Sequence, residues 1–207
     1  MGHDDGMDDG TDDGRDDCVD HRTIDELEAG IDAIRSSPRD GGVLELIVRR
    51  PAVGERDVLD MAELCAEDGV RGDGWRTRGS RHTPDGSAEA GRQVTVMNAR
   101  AIALFAGDRT RWPLAGDQLY LDMDISEANL PAGTRLALGE AVLEISPEPH
   151  TGCAKFRDRF GVDAARLVNT PEGRRLRLRG LNTRVVLPGT VRRGDTARKA
   201  AALVAEG

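Results

Sequence analysis

The stretch Gly42-Val43-Leu44-Glu45-Leu46-Ile47-Val48-Arg49-Arg50-Pro51 begins a series of short segments that are rich in branched apolar residues and end at glycine or proline. Segments of this kind are typical of β-strands. We predict strands near Val43–Arg49, Val58–Leu64, Gln93–Asn98, Gln118–Met123, Arg135–Leu138, Ala141–Ile145, Arg175–Arg179, Arg184–Leu187 and Thr190–Arg193. Because parallel strands would need helices between them, this order predicts a mostly β fold, an antiparallel barrel or sandwich with a few peripheral α-helices.

Three segments have helical character. Thr23 and Glu26 form a capping box, and the apolar residues behind them follow helical spacing, so we predict an amphipathic helix at about 23–36. A second helix is predicted over Ala154–Val168, where Phe156, Phe160 and Ala164 share one face. The alanine-rich segment Thr196–Val204 is predicted to form the last helix.

Residues 1–21 form an acidic segment with an Asp-Asp-Gly period of four. Its first 20 residues carry nine aspartates against Arg15 alone, so the net charge of −8 of the 207-residue chain lies entirely in this segment. A segment with almost no apolar residues cannot offset its ordering entropy, and we predict that it is disordered. Residues 22–207 are predicted to form a single domain.

Composition excludes several classes of function. The remaining chain has balanced charge and only six aromatic residues, so nucleic acid is not an expected partner. No apolar run approaches the roughly 20 residues that cross a bilayer, and no signal peptide is recognisable, so no membrane association is expected. Three distant cysteines, Cys18, Cys65 and Cys153, cannot all pair in disulfides, which favours a cytoplasmic location.

The stretch Pro149-His150-Thr151-Gly152-Cys153-Ala154-Lys155-Phe156 carries the clearest chemistry. It follows a predicted strand, turns, and opens a predicted helix, so that Cys153 lies near a helix N-terminus with Lys155 close by. The partial positive charge of the helix N-terminus and the charge of Lys155 both favour a thiolate, which is a nucleophile and a soft metal ligand. His150 could take the thiol proton or orient a ligand. The alternative is a buried cysteine in a strand-to-helix turn.

Arginines form a second candidate site. In the predicted strand Arg175–Arg179 they alternate with leucine, which places three guanidinium groups on one face. Such a face could bind phosphate, or it could be a solvated face with acidic neighbours. The turn at Gly180 and Asn182 favours a close approach of backbone donors to a ligand.

A set of five segments occurs in a fixed order along the chain. It comprises Gly42–Pro51, Gly69-Val70-Arg71-Gly72-Asp73, Arg92-Gln93-Val94-Thr95-Val96, Gly116-Asp117-Gln118-Leu119 and His150-Thr151-Gly152-Cys153-Ala154-Lys155-Phe156. Over about residues 42–196 this set resembles the MOSC domain, the module named after the C-terminal part of molybdenum cofactor sulfurases, which also occurs as small bacterial proteins.

The resemblance implies a compact β-barrel that binds a molybdenum cofactor of the molybdopterin type. Cys153 would be the molybdenum ligand or sulfur carrier, and His150 the proton donor or orienting group. The expected cofactor-binding residues are Arg177, Arg179, Asn182, Arg184, Gly116, Asp117 and Lys155. Pyridoxal phosphate is not expected in this chain, although Lys155 would be its nearest local candidate.

Two functions follow from this resemblance. The protein could reduce N-hydroxylated or similar substrates, or transfer sulfur through Cys153. Alternatively, it could be a non-catalytic carrier of the cofactor or of sulfur. The chain has no flavin, iron–sulfur or nicotinamide motif, so an enzyme would need an electron-donor protein, and a carrier would serve a cofactor-dependent partner enzyme. A barrel with an inert, buried thiol is the third alternative.

Overall fold

A computed structural model describes residues 21–80 and 83–200 of the chain. The predicted disordered tail therefore lies outside the described residues, apart from His21. The strands are β1 (Gly42–Arg49), β2 (Asp57–Leu59), β3 (Met61–Cys65), β4 (Gly69–Val70), β5 (Val94–Asn98), β6 (Leu119–Asp122), β7 (Arg135–Leu138), β8 (Ala141–Ile145), β9 (Leu181–Leu187), β10 (Gly189–Arg192) and β11 (Thr196–Ala200).

Seven of these strands form a closed barrel. Their order is β11-β7-β8-β9-β5-β6-β1, and pairing of β1 with β11 closes the ring, while β2 extends the sheet beyond β1. Strands β10, β3 and β4 form a separate small sheet. All barrel pairs are antiparallel except β5 and β6. The prediction of a mostly β fold with peripheral helices is confirmed.

The helices are α1 (Ile24–Ala29), α2 (Ile31–Arg35), α3 (Trp75–Arg78), α4 (Ala99–Ala106), α5 (Ala154–Phe160), α6 (Val162–Val168) and α7 (Pro171–Arg175). The helices predicted at 23–36 and 154–168 are each split by a glycine, at Gly30 and at Gly161. The capping box of Thr23 and Glu26 is confirmed. Within the described ranges, none of the helices has the length and apolarity that a bilayer crossing requires.

Two hydrophobic cores lie on the two faces of the barrel wall. One fills the barrel interior and includes Leu119 and Leu121 of β6. The other lies between the wall and the helices, where Tyr120 of β6 packs with Phe156 and Phe160 of α5. Because successive residues of a strand point to opposite faces, β6 is buried on both sides and holds the helical layer against the barrel.

The strand predicted at Arg175–Arg179 is wrong. Thr170 caps the N-terminus of α7, Pro171 is its first residue, and a turn follows that brings the Leu178 amide to the Gly173 carbonyl. Arg175, the last residue of α7, is exposed, whereas Arg179, beyond the turn, is 6% exposed, so the arginines do not share a strand face. Local capping and proline at the first helical position outweigh the alternating pattern.

The helix predicted at Thr196–Val204 is also wrong over its described part. Residues Thr196–Ala200 form β11, which pairs with β7 and with β1 and so closes the barrel. The strand predicted at Val58–Leu64 is divided between β2 and β3, which belong to different sheets. Helix α4 was not predicted. It belongs to the long connection that the one parallel pair, β5 and β6, requires.

Candidate functional site

The turn Gly116–Asp117 connects the groups of the candidate site. Gly116 has a left-handed conformation (φ +86°), and its carbonyl accepts a hydrogen bond of 2.6 Å from Nη1 of Arg50. The Asp117 side chain is fully buried, and its Oδ2 accepts a hydrogen bond of 2.6 Å from Nη1 of Arg179. The other oxygen, Oδ1, lies 3.4 Å from Nδ1 of His150. The structure thus brings together four residues that are distant in sequence.

Arg179 is held on three sides. Besides Asp117 it binds the Ala115 carbonyl through Nη2 at 2.9 Å, and its guanidinium lies 5.1 Å from the ring centroid of Phe156 on α5. Burial raises the pKa of Asp117, and the charge of Arg179 opposes that rise. Within the described residues, Nε of Arg179 and Oδ1 of Asp117 are buried without a hydrogen-bond partner. Buried groups of this kind are uncommon and mark places where a ligand can complete the pairing.

His150 is neutral at neutral pH. Burial, and then the charges of Arg179 and Arg50, lower its pKa well below the ordinary value. The side chain is 17% exposed. It lies against Gly180 (φ +103°), where a Cβ atom would come within 3.2 Å of Nδ1 of His150 and 2.6 Å of the Val96 carbonyl oxygen. Only glycine fits at this position.

A cleft of about 230 Å³ lies beside His150. Its walls are the loop after β8 and the turn after α7, and it is lined by Glu127, Ser146, Pro147, Glu148, Pro149, His150, Thr151, Arg174, Arg177, Gly180 and Leu181. Arg177 donates to the Leu130 carbonyl at 2.6 Å and forms no ion pair within the described part of the chain. Arg174 is exposed, and within residues 21–80 and 83–200 its side chain makes no hydrogen bond or ion pair. Glu127 and Glu148 also line the cleft and balance these two charges, so Arg174 is the exposed cation that a ligand would meet there.

The other predicted cofactor residues lie outside this lining. Asn182 is buried and holds one wall of the cleft. Its side-chain Nδ2 donates to the Glu148 carbonyl at 3.0 Å, and its backbone carbonyl accepts from the Ser146 amide. Arg184 is exposed and paired with Glu144 at 2.6 Å. Lys155 is exposed on the first turn of α5.

Cys153 is exposed and is the residue immediately before α5. The loop that leads to it is fixed at Gly152, where a Cβ atom would come within 2.7 Å of a Val168 methyl carbon and 2.8 Å of Nδ2 of Asn169. The predicted strand–turn–helix arrangement is confirmed, and the alternative of a buried thiol at this position is wrong. The buried cysteine is Cys65 on β3.

A second cluster of charged residues lies on the other side of Gly116 and was not predicted from the sequence. Arg50 binds the fully buried carboxylate of Asp73 with two nitrogens, at 3.0 and 3.1 Å. Arg78 lies 3.7 Å from the same carboxylate, and Nε of Arg56 is buried without a partner in the described structure. Burial and then neighbouring guanidinium groups lower the pKa of Arg56 and of Arg78. Three arginines around one carboxylate leave an excess of positive charge.

The sequence contains one signal for this cluster. Asp73 lies between two glycines, and the turn lets the Gly74 amide donate to the Arg50 carbonyl at 2.8 Å. The pair Arg49-Arg50 before Pro51 marks the end of β1, but nothing in the sequence shows that Arg50 meets Asp73.

Neither a family model nor a curated protein sequence matches the chain. Solved structures do match it. The crystal structure of a hypothetical protein has a TM-score of 0.54 at 19% identity, over 78% of this chain and 69% of its own. YuaD from Bacillus subtilis has a TM-score of 0.53 at 19% identity, over 75% and 93%. YiiM from Escherichia coli has a TM-score of 0.50 at 20% identity, over 77% and 70%.

The fold is MOSC-like. The likeness to YuaD and YiiM supports this fold and covers 75% and 77% of the chain. At identities of 19–20% the likeness establishes the fold alone. The chemistry has to be argued from the residues of the site.

Proposed function

We propose that this protein binds a molybdenum-pterin cofactor of the molybdopterin type and that Cys153 is its protein sulfur ligand. The observation that carries the proposal is the exposed thiol of Cys153, which lies two residues after Thr151 of the cleft wall and outside the cleft lining. A thiolate is a soft ligand of the kind that a molybdenum centre accepts. The MOSC-like fold supports the proposal.

The residues present fit such a group. Guanidinium groups bind phosphate through paired N–H donors, and Arg174 on the cleft wall has no carboxylate partner within the described residues. Arg56 and Arg78, on the other side of Gly116 and outside the cleft lining, also carry charge that Asp73 does not fully neutralise. A pterin is a flat heterocycle with several hydrogen-bond donors and acceptors. The buried, unpaired atoms of Asp117, His150 and Arg179 would complete their hydrogen bonds with polar atoms of this kind.

When bound, the cofactor would supply electron transfer at the metal. Cys153 would bind the metal, and His150 would orient the substrate by accepting a hydrogen bond. Arg177, together with Arg174, would attract an anionic group into the cleft, while Arg179 would act through Asp117 and Asn182 would hold the wall. Arg184 has least support as a phosphate ligand, because Glu144 already neutralises it.

The proposed reaction is the reduction of an N-hydroxylated or similar substrate. Such a reduction consumes two electrons and two protons and releases water, and a separate donor protein would supply the electrons. The neutral, partly exposed imidazole of His150 would orient the substrate by accepting a hydrogen bond from it, and the two protons would come from solvent.

The exposure of Cys153 favours a second candidate, a carrier that passes sulfur or the cofactor to a partner enzyme. Transfer between proteins requires a thiol that a partner can reach, and Cys153 meets that requirement. Turnover of an N-hydroxylated substrate with a supplied electron donor distinguishes the two. A carrier would bind the cofactor and show no turnover.

Metal and pterin content tests the proposal. The protein is expressed in a host that makes the cofactor, and molybdenum and pterin are measured per folded chain. We expect both in the wild type and a loss of molybdenum in Cys153→Ser. The matched control is Cys65→Ser, which changes a buried thiol on β3 and should retain the metal. Absence of both from folded wild-type protein, or equal content in Cys153→Ser, would falsify the proposal.

A further inference from the structure

Asp117 lies between a cation and an imidazole. Its Oδ2 is bound by Arg179 at 2.6 Å, and its Oδ1 faces Nδ1 of His150 at 3.4 Å. Both atoms are buried and neither has a hydrogen-bond partner within the described residues, so the contact of 3.4 Å between them is longer than a hydrogen bond. The two atoms are therefore available to each other and to a ligand that enters the site, while the Thr95 hydroxyl also acts on the Asp117 carboxylate.

The chemistry of the pair decides where the proton lies. An ionised carboxylate only accepts hydrogen bonds, and the ion pair with Arg179 stabilises the ionised form of Asp117. Nδ1 of His150 must then carry a hydrogen, because two facing acceptors would repel each other. A neutral imidazole has one N–H, so Nε2 keeps a lone pair. Since Nδ1 is buried, the opposite edge of the ring, with Nε2, faces the cleft.

We propose that Asp117 is a positioning residue that holds His150 as the Nδ1–H tautomer, so that Nε2 is the hydrogen-bond acceptor on the cleft wall. The ligand that fits this wall donates a hydrogen bond from a hydroxyl or N–H group to Nε2 and carries an anionic group toward Arg174. This inference deepens the proposed function and rests on it for the use of the acceptor in a reaction. The tautomer itself is a property of the protein without cofactor.

The surrounding charges support a neutral ring. The side chains that act on His150 are Arg179, Arg50 and Arg92, all positive, and Asp117, which faces Nδ1. Burial and the three guanidinium groups lower the pKa of His150, so the imidazole stays neutral at pH 7 and only its tautomer is open.

Nuclear magnetic resonance of the full chain labelled with ¹⁵N tests this directly. Long-range ¹H–¹⁵N correlations distinguish a protonated ring nitrogen from an unprotonated one, and His150→Gln identifies the signals by their loss. We expect a protonated Nδ1 and an unprotonated Nε2 in the wild type at pH 7. The opposite tautomer, or a mixture of the two in equal amounts, overturns the proposal.

The variant Asp117→Asn distinguishes a positioning role of Asp117 from a purely structural role. The Asn oxygen should remain with Arg179, so its NH₂ group takes the place of Oδ1 and donates to Nδ1, which inverts the tautomer to Nε2–H. Asp73→Asn also replaces a buried, arginine-paired carboxylate, but one without contact to His150, and should leave the tautomer unchanged. An unchanged tautomer in Asp117→Asn contradicts the positioning role.

The outcome is independent of cofactor content. If Asp117→Asn does not fold, the wild-type tautomer still decides the proposal. A wild type with the Nδ1–H tautomer but without molybdenum would confirm the inference and contradict the proposed function. The reverse result would confirm cofactor binding and overturn the role of Asp117.

Discussion

At the scale of single residues, Gly180 shows how a missing side chain shapes the site. Its Cα lies where the Val96 carbonyl, His150 and Asp117 converge, and its φ of +103° is one that other residues rarely adopt. A side chain here would separate the imidazole from the carboxylate. The glycine therefore permits both the turn and the contact between the two titratable groups.

Gly180→Ala should lower the free energy of unfolding by about 2–4 kcal/mol, because a strained backbone and a steric overlap add. Gly133→Ala is the matched control. Gly133 also has a positive φ (+84°), but no atom lies within 4 Å of the Cβ position, so we expect a loss of about 1 kcal/mol from backbone strain alone. Urea denaturation measures both values. Equal losses would show that the contacts around Gly180 contribute nothing beyond backbone strain.

At the scale of elements, the sequence predicted strands better than the segments between them. Strands β7 and β8 have the predicted bounds, because each alternates buried and less buried residues between turn residues. The alternation of Arg and Leu before Gly180 has the same period and yet forms a helix end and a turn. The alanine-rich β11 has helical propensity, and pairing with β7 and β1 overrides it.

Helix α4 offers a test at this scale, since its N-cap is a buried side chain. Oδ1 of Asn98 accepts from the amides of Arg100 and Ala101, and Nδ2 donates to Ser37 and to the Met123 carbonyl at 2.7 Å. Asn98→Ala removes the cap and leaves a buried carbonyl unpaired. We expect a loss of about 2–4 kcal/mol in the free energy of unfolding.

The matched control for this cap is Thr23→Ala, which removes the exposed cap of α1 and should cost about 1 kcal/mol or less. Thermal or urea denaturation of both variants measures the difference. A loss for Asn98→Ala no larger than that for Thr23→Ala would mean that the buried hydrogen bonds of Asn98 do not anchor α4 to β6.

At the scale of the whole molecule, the site is a product of strand order, because β8, β9, β5, β6 and β1 are successive neighbours in the barrel sheet. Arg50 follows β1, the Gly116–Asp117 turn precedes β6, His150 follows β8, and Arg179 precedes β9. The sequence identified Cys153, His150 and the Gly116–Asp117 turn as candidates because each has a local signature. Local patterns do not show which distant residues meet, so the contacts of Arg50 with Asp73 and of Arg179 with Asp117 were not predictable.

Because His150 is coupled to this closed structure, its protonation should be linked to global unfolding. Its pKa in the folded state is lowered by burial and by Arg179 and Arg50, so below about pH 6.5 the unfolded chain binds a proton that the folded chain does not. The contribution of His150 to the free energy of unfolding is therefore complete above that pH and is lost as the pH falls. The raised pKa of Asp117 acts in the opposite direction.

We therefore expect the free energy of unfolding to fall by about 1 kcal/mol between pH 7.5 and 5.5 in the wild type. His150→Gln keeps a side chain that can donate to Asp117 but does not titrate, so its stability should change less over the same interval. Carboxylates with lowered pKa values, such as Glu144 beside Arg184, lose their contribution to stability only at more acidic pH. They therefore do not affect the comparison between pH 7.5 and 5.5. Urea denaturation at the two pH values, with equal dependence on urea concentration, measures the change. An equal fall in both proteins would assign the proton uptake to another group and would contradict a neutral His150 in the folded protein.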